Sequence, residues 1–183
     1  MATVILRPTS TTSQTGWASD PIGTAADNDT ATGVTQSNRV CNWTAVLADL
    51  DSSLSGATIN SFTISANGEA GRAGASTCAL SLVHSSDGEF ASENESWTST
   101  QNTQTTSSRT TQQDGSSALT YAYINNCSVK IVPNNQGITL YELYVTVDYT
   151  PGGYGNKISG VASSNISKAK GVATANIEKV IGV

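Results

Sequence analysis

Residues Ile138–Thr150, ITLYELYVTVDYT, decide the fold. Tyr141, Leu143, Val145, Val147 and Tyr149 share one parity, while Glu142, Thr146 and Asp148 share the other, with Tyr144 as its one large exception. Alternation of this length, in β-branched and aromatic residues, predicts a strand with one buried and one wet face. Pro151-Gly152-Gly153 stops it, and the sequence beyond has a different grammar. The reading is a β body over residues 1–150, a Pro/Gly linker over 151–154 and a C-terminal arm over 155–183.

Composition agrees with that division. With 183 residues the chain can bury one proper core but has little room for two large domains. Charged residues are only 13% of the chain, so the wet surface must be built largely from Ser, Thr, Asn and Gln. That surface, with 16 Gly, favours sheets and turns over helix bundles. The net charge of −5 is uneven: residues 1–154 carry thirteen acids against five bases, and residues 155–183 carry four Lys against Glu178. An acidic body attracts neither nucleic acid nor an anionic membrane, so no partner of either kind is expected. The basic arm is better suited to an acidic protein surface.

No run of 18 apolar residues marks a membrane span. MATVILRPTS has no basic segment followed by a signal-length apolar run, so the expectation is synthesis in a cytoplasm without a signal peptide. Cys41, Cys78 and Cys127 are odd in number, lack CxxC spacing and sit in apolar runs. They are read as free buried thiols, with pairing in an oxidising medium as the alternative.

Outward from the deciding strand, Thr3–Arg7 is a short strand stopped by Pro8, and Thr9–Thr15 reads as a polar loop. Trp17 stands alone in polar surroundings, either anchoring that loop or offering a platform for sugar. Asp27 and Asp29 are spaced as Ca²⁺ ligands could be. The Gly and distal Glu of an EF-hand loop are missing, which favours turn chemistry. Asn38–Trp43 is a strand, Ala45–Leu54 a helical turn or irregular connection, and Gly56–Ala66 a strand followed by the tight-turn signal Asn67-Gly68, although the Gly-rich EAGRAGAS after it implies a wider loop. Thr77–His84 is the next strand, and Ser85-Ser86-Asp87-Gly88 turns the chain. His84, the only histidine, has no nucleophile motif beside it and is not read as catalytic.

Glu89–Ser117 is polar and aperiodic. It holds either polar strands that periodicity cannot reveal or a projecting binding loop, with Trp97 as its one anchor. Glu93 and Glu95 are acids of a type glycosidases use, but on a flexible run they are no positioned pair, so no catalytic residue is assigned. Cys127–Val132 follows as a strand, and Pro133–Gly137 turns it into Ile138–Thr150 as a hairpin. Short strands with turns between them predict an all-β, antiparallel, jelly-roll-like sandwich. Its core is expected to contain Leu6, Phe62, Ile64, Leu80, Leu82, Val129, Ile131, Leu143, Val145 and Val147. No residue set calls for a cofactor.

The arm is internally repeated at a period of 11 residues. Lys157, Lys168 and Lys179 coincide, as do Gly160, Gly171 and Gly182, and Val161, Val172 and Val183, while Ile166 aligns with Ile177. A helical turn beginning near Ser163 or Thr174 would show Ile177 and Val180 on one side. A unit that short is unstable alone in water, so its apolar side has to be completed by another surface.

NISKAKGVATANIEKVIGV resembles the terminal arms of structural proteins of tailed bacteriophages, of the form I-x-K-x-x-G-V. Leu6-Arg7-Pro8 and Leu140–Tyr149 resemble the first and last strands of a phage virion β-sandwich. The resemblance implies a non-enzymatic virion protein made in the host cytoplasm. Its leading form is a capsid decoration or cement protein fastened through Lys157, Val161, Ile166, Lys168, Val172, Ile177, Lys179, Val180 and Val183. Its partners would be the major capsid protein or tail proteins and copies of itself in a homo-oligomer such as a trimer. The alternative is a tail-fibre or baseplate accessory with a glycan-binding sandwich, in which Trp17 and Trp97 contact sugar.

Overall fold

The computed structural model of the protein describes residues 2–71, 76–134 and 137–152, and the backbone of two short strands beyond them. In chain order the elements are β1 (Ala2–Leu6), β2 (Pro8–Thr15), β3 (Val34–Thr35), β4 (Asn42–Leu47), β5 (Thr58–Ala70), β6 (Ser76–His84) and β7 (Gly88–Trp97). β8 (Asn102–Thr105), α1 (Tyr121–Asn125), β9 (Cys127–Pro133) and β10 (Ile138–Thr150) complete the body. One sheet has the order β1-β10-β5-β8, with β3 paired to the start of β10. The facing sheet has the order β2-β4-β9-β6-β7, and every pairing is antiparallel. This is the jelly-roll-like sandwich expected, with β4 inserted between β2 and β9. Among the described residues no helix is long and apolar enough to cross a membrane.

β10 keeps its expected bounds and lies between β1 and β5. All ten residues assigned to the core are buried there, each at 4% exposure or less. Full burial of an aliphatic or aromatic side chain contributes about 1.5–3 kcal/mol, which explains why these positions dominate the sheet registers.

The parity within β10 differs from the expectation at one point. Leu140 pairs with Gly68 and Glu142 with Asn67, so Tyr141 is the extra residue of a β-bulge. The bulge lets Ile138 and Leu140 face the core before it and Leu143, Val145 and Val147 after it. Tyr141 does not share the buried face; its hydroxyl donates to Glu69 Oε1 at 2.6 Å. Glu142 is not on the wet face either. It is buried and accepts from Arg7 Nη2 at 2.6 Å, and the Arg7 guanidinium lies 5.6 Å from the Tyr144 ring centre.

Four further expectations are corrected. Thr9–Thr15 is not a loop but most of β2, an edge strand whose side chains are largely exposed, so no apolar period could reveal it. The strand expected at Asn38–Trp43 begins later and runs to Leu47, and a 3-10 turn at Ser52–Leu54 is all the helix that follows. Asn67-Gly68 is not a turn: β5 continues to Ala70 and pairs there with both β10 and β8. Gly68 sits at a close approach: a Cβ there would lie 3.1 Å from the Thr139 carbonyl oxygen and 3.2 Å from Trp97 Nε1, so these neighbours would have to give by a few tenths of an ångström. The polar run after Glu89 is the first of its two readings: it contains the strands β7 and β8, not a projecting loop. Finally, β9 and β10 are not a hairpin, since Pro133–Gly137 carries the chain from one sheet to the other. Between β1 and β10, only β6 and β7 are consecutive strands of the same sheet.

Cys41, Cys78 and Cys127 are free and buried, in accord with the thiol reading. Burial pushes the Cys41 and Cys127 thiols up to about 12, and the Cys78 thiol also rises. Of the arm, Lys157, Val161, Ile166, Ile177, Lys179, Val180 and Val183 lie outside the described residues. The backbone at Lys168–Ala169 (β11) pairs antiparallel with Val172–Ala173 (β12), so this part of the repeat is a strand pair where a helical turn was expected.

Candidate functional site

Two Asp-Gly turns meet at one end of the sandwich. The first joins β6 to β7 through Ser85–Asp87, with Gly88 at φ 86°. The second lies between Thr111 and Ala118, which form a β-bridge, with Gly115 at φ 73°. Gln112 N–H donates to the Ser117 carbonyl oxygen, and Gly115 N–H donates to that of Gln112, closing the loop. Both positive-φ positions favour glycine, and Asp114 supplies the side-chain contacts to backbone N–H groups typical of such turns.

Each turn is fastened from beneath. His84, at the end of β6, is 9% exposed and places Nδ1 3.2 Å from both Asp87 Oδ2 and the Ser86 hydroxyl oxygen. The His84 ring stacks on Tyr123 of α1, with centroids 4.0 Å apart and planes 7° from parallel. The Tyr123 hydroxyl accepts from Gln113 N–H at 3.1 Å, tying the second turn to the same stack. Phe90 then meets Tyr123 edge-on at 5.7 Å and Phe62 at 6.0 Å, so the floor continues into the core. Burial holds the Tyr123 hydroxyl above its ordinary value, against the Gln113 hydrogen bond, and nearby negative charge including Asp87 adds to the rise.

Between the turns is an open cleft of about 430 Å³, lined by Asp87, Gln112, Gln113 and Asp114. Ligand sites commonly span roughly 300–1,000 Å³. The Asp114 side chain accepts from Ser117 Oγ, from Ser116 N–H at 2.9 Å and from Ser117 N–H at 2.8 Å. The Ser117 hydroxyl and the two backbone N–H groups hold its carboxyl down at about 2. It is therefore a fixed anion near neutral pH. The cleft combines charged acceptors, amides and rigid turns without a reactive nucleophile among its lining residues.

The residues singled out from the sequence lie elsewhere. Trp17 is 6% exposed and donates from Nε1 to the Asn42 carbonyl oxygen; Trp97 is 0% exposed and donates to that of Asn102. Both are anchors within the core, and the Trp97 ring has no exposed face to offer a sugar. Asp27 accepts from Asp29 N–H and Thr32 Oγ1, and Asp29 accepts from Ala31 N–H, which is the turn chemistry preferred over Ca²⁺. Among the described residues no three His, Cys, Asp or Glu side chains gather as a metal site.

Glu93 and Glu95 are on the strand β7, just past a register shift near Ala91 (φ 54°), and not on a flexible run. Glu93 accepts from Ser107 N–H at 2.8 Å, while burial, aided by Glu93, raises the Glu95 carboxyl. The cleft residues themselves were missed from the sequence. The available signal was the recurrence of Asp-Gly at 87–88 and 114–115, the second hidden inside the polar run.

No known family model matches the sequence, and no curated protein matches it. Three solved structures share the general shape. The C-terminal CBM6 of LamC, a marine laminarinase from Zobellia galactanivorans, is similar at TM-score 0.46 and 10% identity, over 80% of this chain and 98% of that one. A carbohydrate-binding module of Cellvibrio mixtus lichenase 5A, in complex with cellotriose, is similar at 0.44 and 13%, over 80% and 97%. A CBM4 structure is similar at 0.32 and 13%, over 80% and 77%. Likeness this distant carries no argument about a ligand, so the functional reading has to rest on the cleft's own residues.

Proposed function

We propose that the chain is a non-catalytic β-sandwich module that binds a glycan in the cleft between its two Asp-Gly turns. The observation that carries this reading is the lining: two carboxylates and two amides around an open space of about 430 Å³. Sugar hydroxyls donate hydrogen bonds, which carboxylates and amide oxygens accept. Turns fixed by the His84–Tyr123 stack limit the conformational entropy lost on binding. The carboxyl of Asp114, held down at about 2, has no proton to give near neutral pH and is unsuited to general acid catalysis. A glycan microarray probed with the intact chain tests the reading. Retention on a defined set of glycans, lost in a Gln112→Ala/Gln113→Ala double variant, is expected; no retention on any glycan overturns it.

A second reading, that of a virion structural protein, is favoured by the repeat and by charge. Residues 155–183 carry four Lys against one Glu, beside a body with thirteen acids and five bases. On this reading the arm fastens the sandwich to neighbouring acidic protein surfaces, as a capsid decoration or cement protein or as a tail-fibre or baseplate accessory. Partners would be the major capsid protein or tail proteins and further copies of the chain. Deleting residues 155–183 should leave a folded body that no longer joins the particle; normal incorporation of the truncated protein refutes this role.

A further inference from the structure

We infer that the cleft selects glycans bearing free amino sugars and rejects anionic ones. This rests on the proposed glycan-binding role and goes on to name the ligand's chemical class. Gln112 Nε2 donates to the Ala118 carbonyl oxygen at 2.7 Å, and Gln113 Nε2 donates to that of Glu89 at 3.3 Å. Each amide nitrogen is thus turned toward the protein's own backbone, and neither amide oxygen accepts a hydrogen bond from the described residues. Asp87 and Asp114 add charged acceptors on either turn. Among the described residues no Lys or Arg lines the cleft, and Lys130 is already engaged with Glu89 at 2.5 Å.

The cleft therefore offers mostly acceptors under a negative potential. An ammonium group presents three donors and no acceptor, which is the complementary pattern. Acetylation replaces that cation with one neutral N–H and an added carbonyl oxygen. A uronate brings only further acceptors and like charge. Because Asp87 and Asp114 are exposed, the attraction is partly screened, and the expected gain from the ammonium is about three- to tenfold in affinity at low salt.

The test titrates the intact chain with three oligosaccharides of equal length, a glucosamine tetramer, its N-acetylated counterpart and a galacturonate tetramer, at low and at raised salt. The glucosamine tetramer should bind about three- to tenfold tighter than the acetylated one, with the difference narrowing as salt rises, while the galacturonate tetramer fails to bind. Single Asp87→Asn and Asp114→Asn variants should reduce the preference while near-ultraviolet circular dichroism stays native. Equal or tighter binding of the acetylated or galacturonate tetramer overturns the inference and leaves the glycan-binding reading standing. If no tetramer binds and the microarray also retains nothing, that reading falls as well.

Discussion

Trp97→Ala separates a core anchor from a ligand platform. The ring is fully buried, packs closely against Gly68 and donates to the Asn102 carbonyl oxygen at 3.1 Å, just where the chain leaves one sheet for the other. An aromatic of this class buries roughly 150–250 Å², and truncation to Ala in a close-packed core costs about 3–5 kcal/mol. The lost hydrogen bond adds little, because the exposed Asn102 can be rehydrated. Against a total stability of about 5–15 kcal/mol this is a large fraction. With a urea slope near ~2 kcal/mol/M, the unfolding midpoint should fall by about 1.5–2.5 M. Trp97→Phe keeps most of the apolar volume and should lose much less. Equilibrium urea unfolding followed by circular dichroism measures both. A midpoint for Trp97→Ala within about 0.5 M of wild type, at an unchanged slope, refutes the anchor role.

Other expectations follow from buried or strongly held groups. Glu142→Gln removes the charge that pairs with Arg7 inside the rim of the sandwich and should destabilise by about 1–3 kcal/mol in the same assay; no change would mean the pair is solvated. The Asp114 carboxyl is depressed from 3.8 to about 2, so its stabilising effect is fully present above the ordinary value and lost as pH falls through about 2. A nuclear magnetic resonance titration of that carboxyl should give a midpoint near 2, and a midpoint near 4 contradicts the turn geometry. The three thiols are buried and shifted upward, so a thiol reagent at pH 8 should label none in the native protein and all three after denaturation. Rapid native labelling at any of them would contradict the packing.

The strands that could be read from the sequence are those whose burial writes a period-2 pattern, namely β1, β6, β9, β10 and the first half of β5. Their apolar residues supply the core that was expected. β2, β7 and β8 carry Ser, Thr, Asn, Gln and Glu at positions the sheets leave exposed or half-exposed, and no periodicity marks such strands. The bulge at Tyr141 moves the buried apolar parity from Ile138 and Leu140 to Leu143, Val145 and Val147, a shift that the half-buried Tyr141 disguises in the sequence. Asn67-Gly68 has the composition of a tight turn but is paired within β5 on both sides, with Gly68 packed closely against the Trp97 ring. That neighbour lies 29 positions away. The cleft was half legible: Asp87-Gly88 reads as a turn, while Asp114-Gly115 was submerged in its polar surroundings. Nothing local to either turn says that the His84–Tyr123 stack brings them together.

The most direct measurement is glycan binding by the wild-type chain, by Gln112→Ala/Gln113→Ala and by Trp97→Phe, compared on one microarray under one buffer. The cleft account predicts that Trp97→Phe keeps the wild-type pattern while the double variant loses it with its fold intact. Binding that survives the double variant and disappears in a folded Trp97→Phe protein would contradict it.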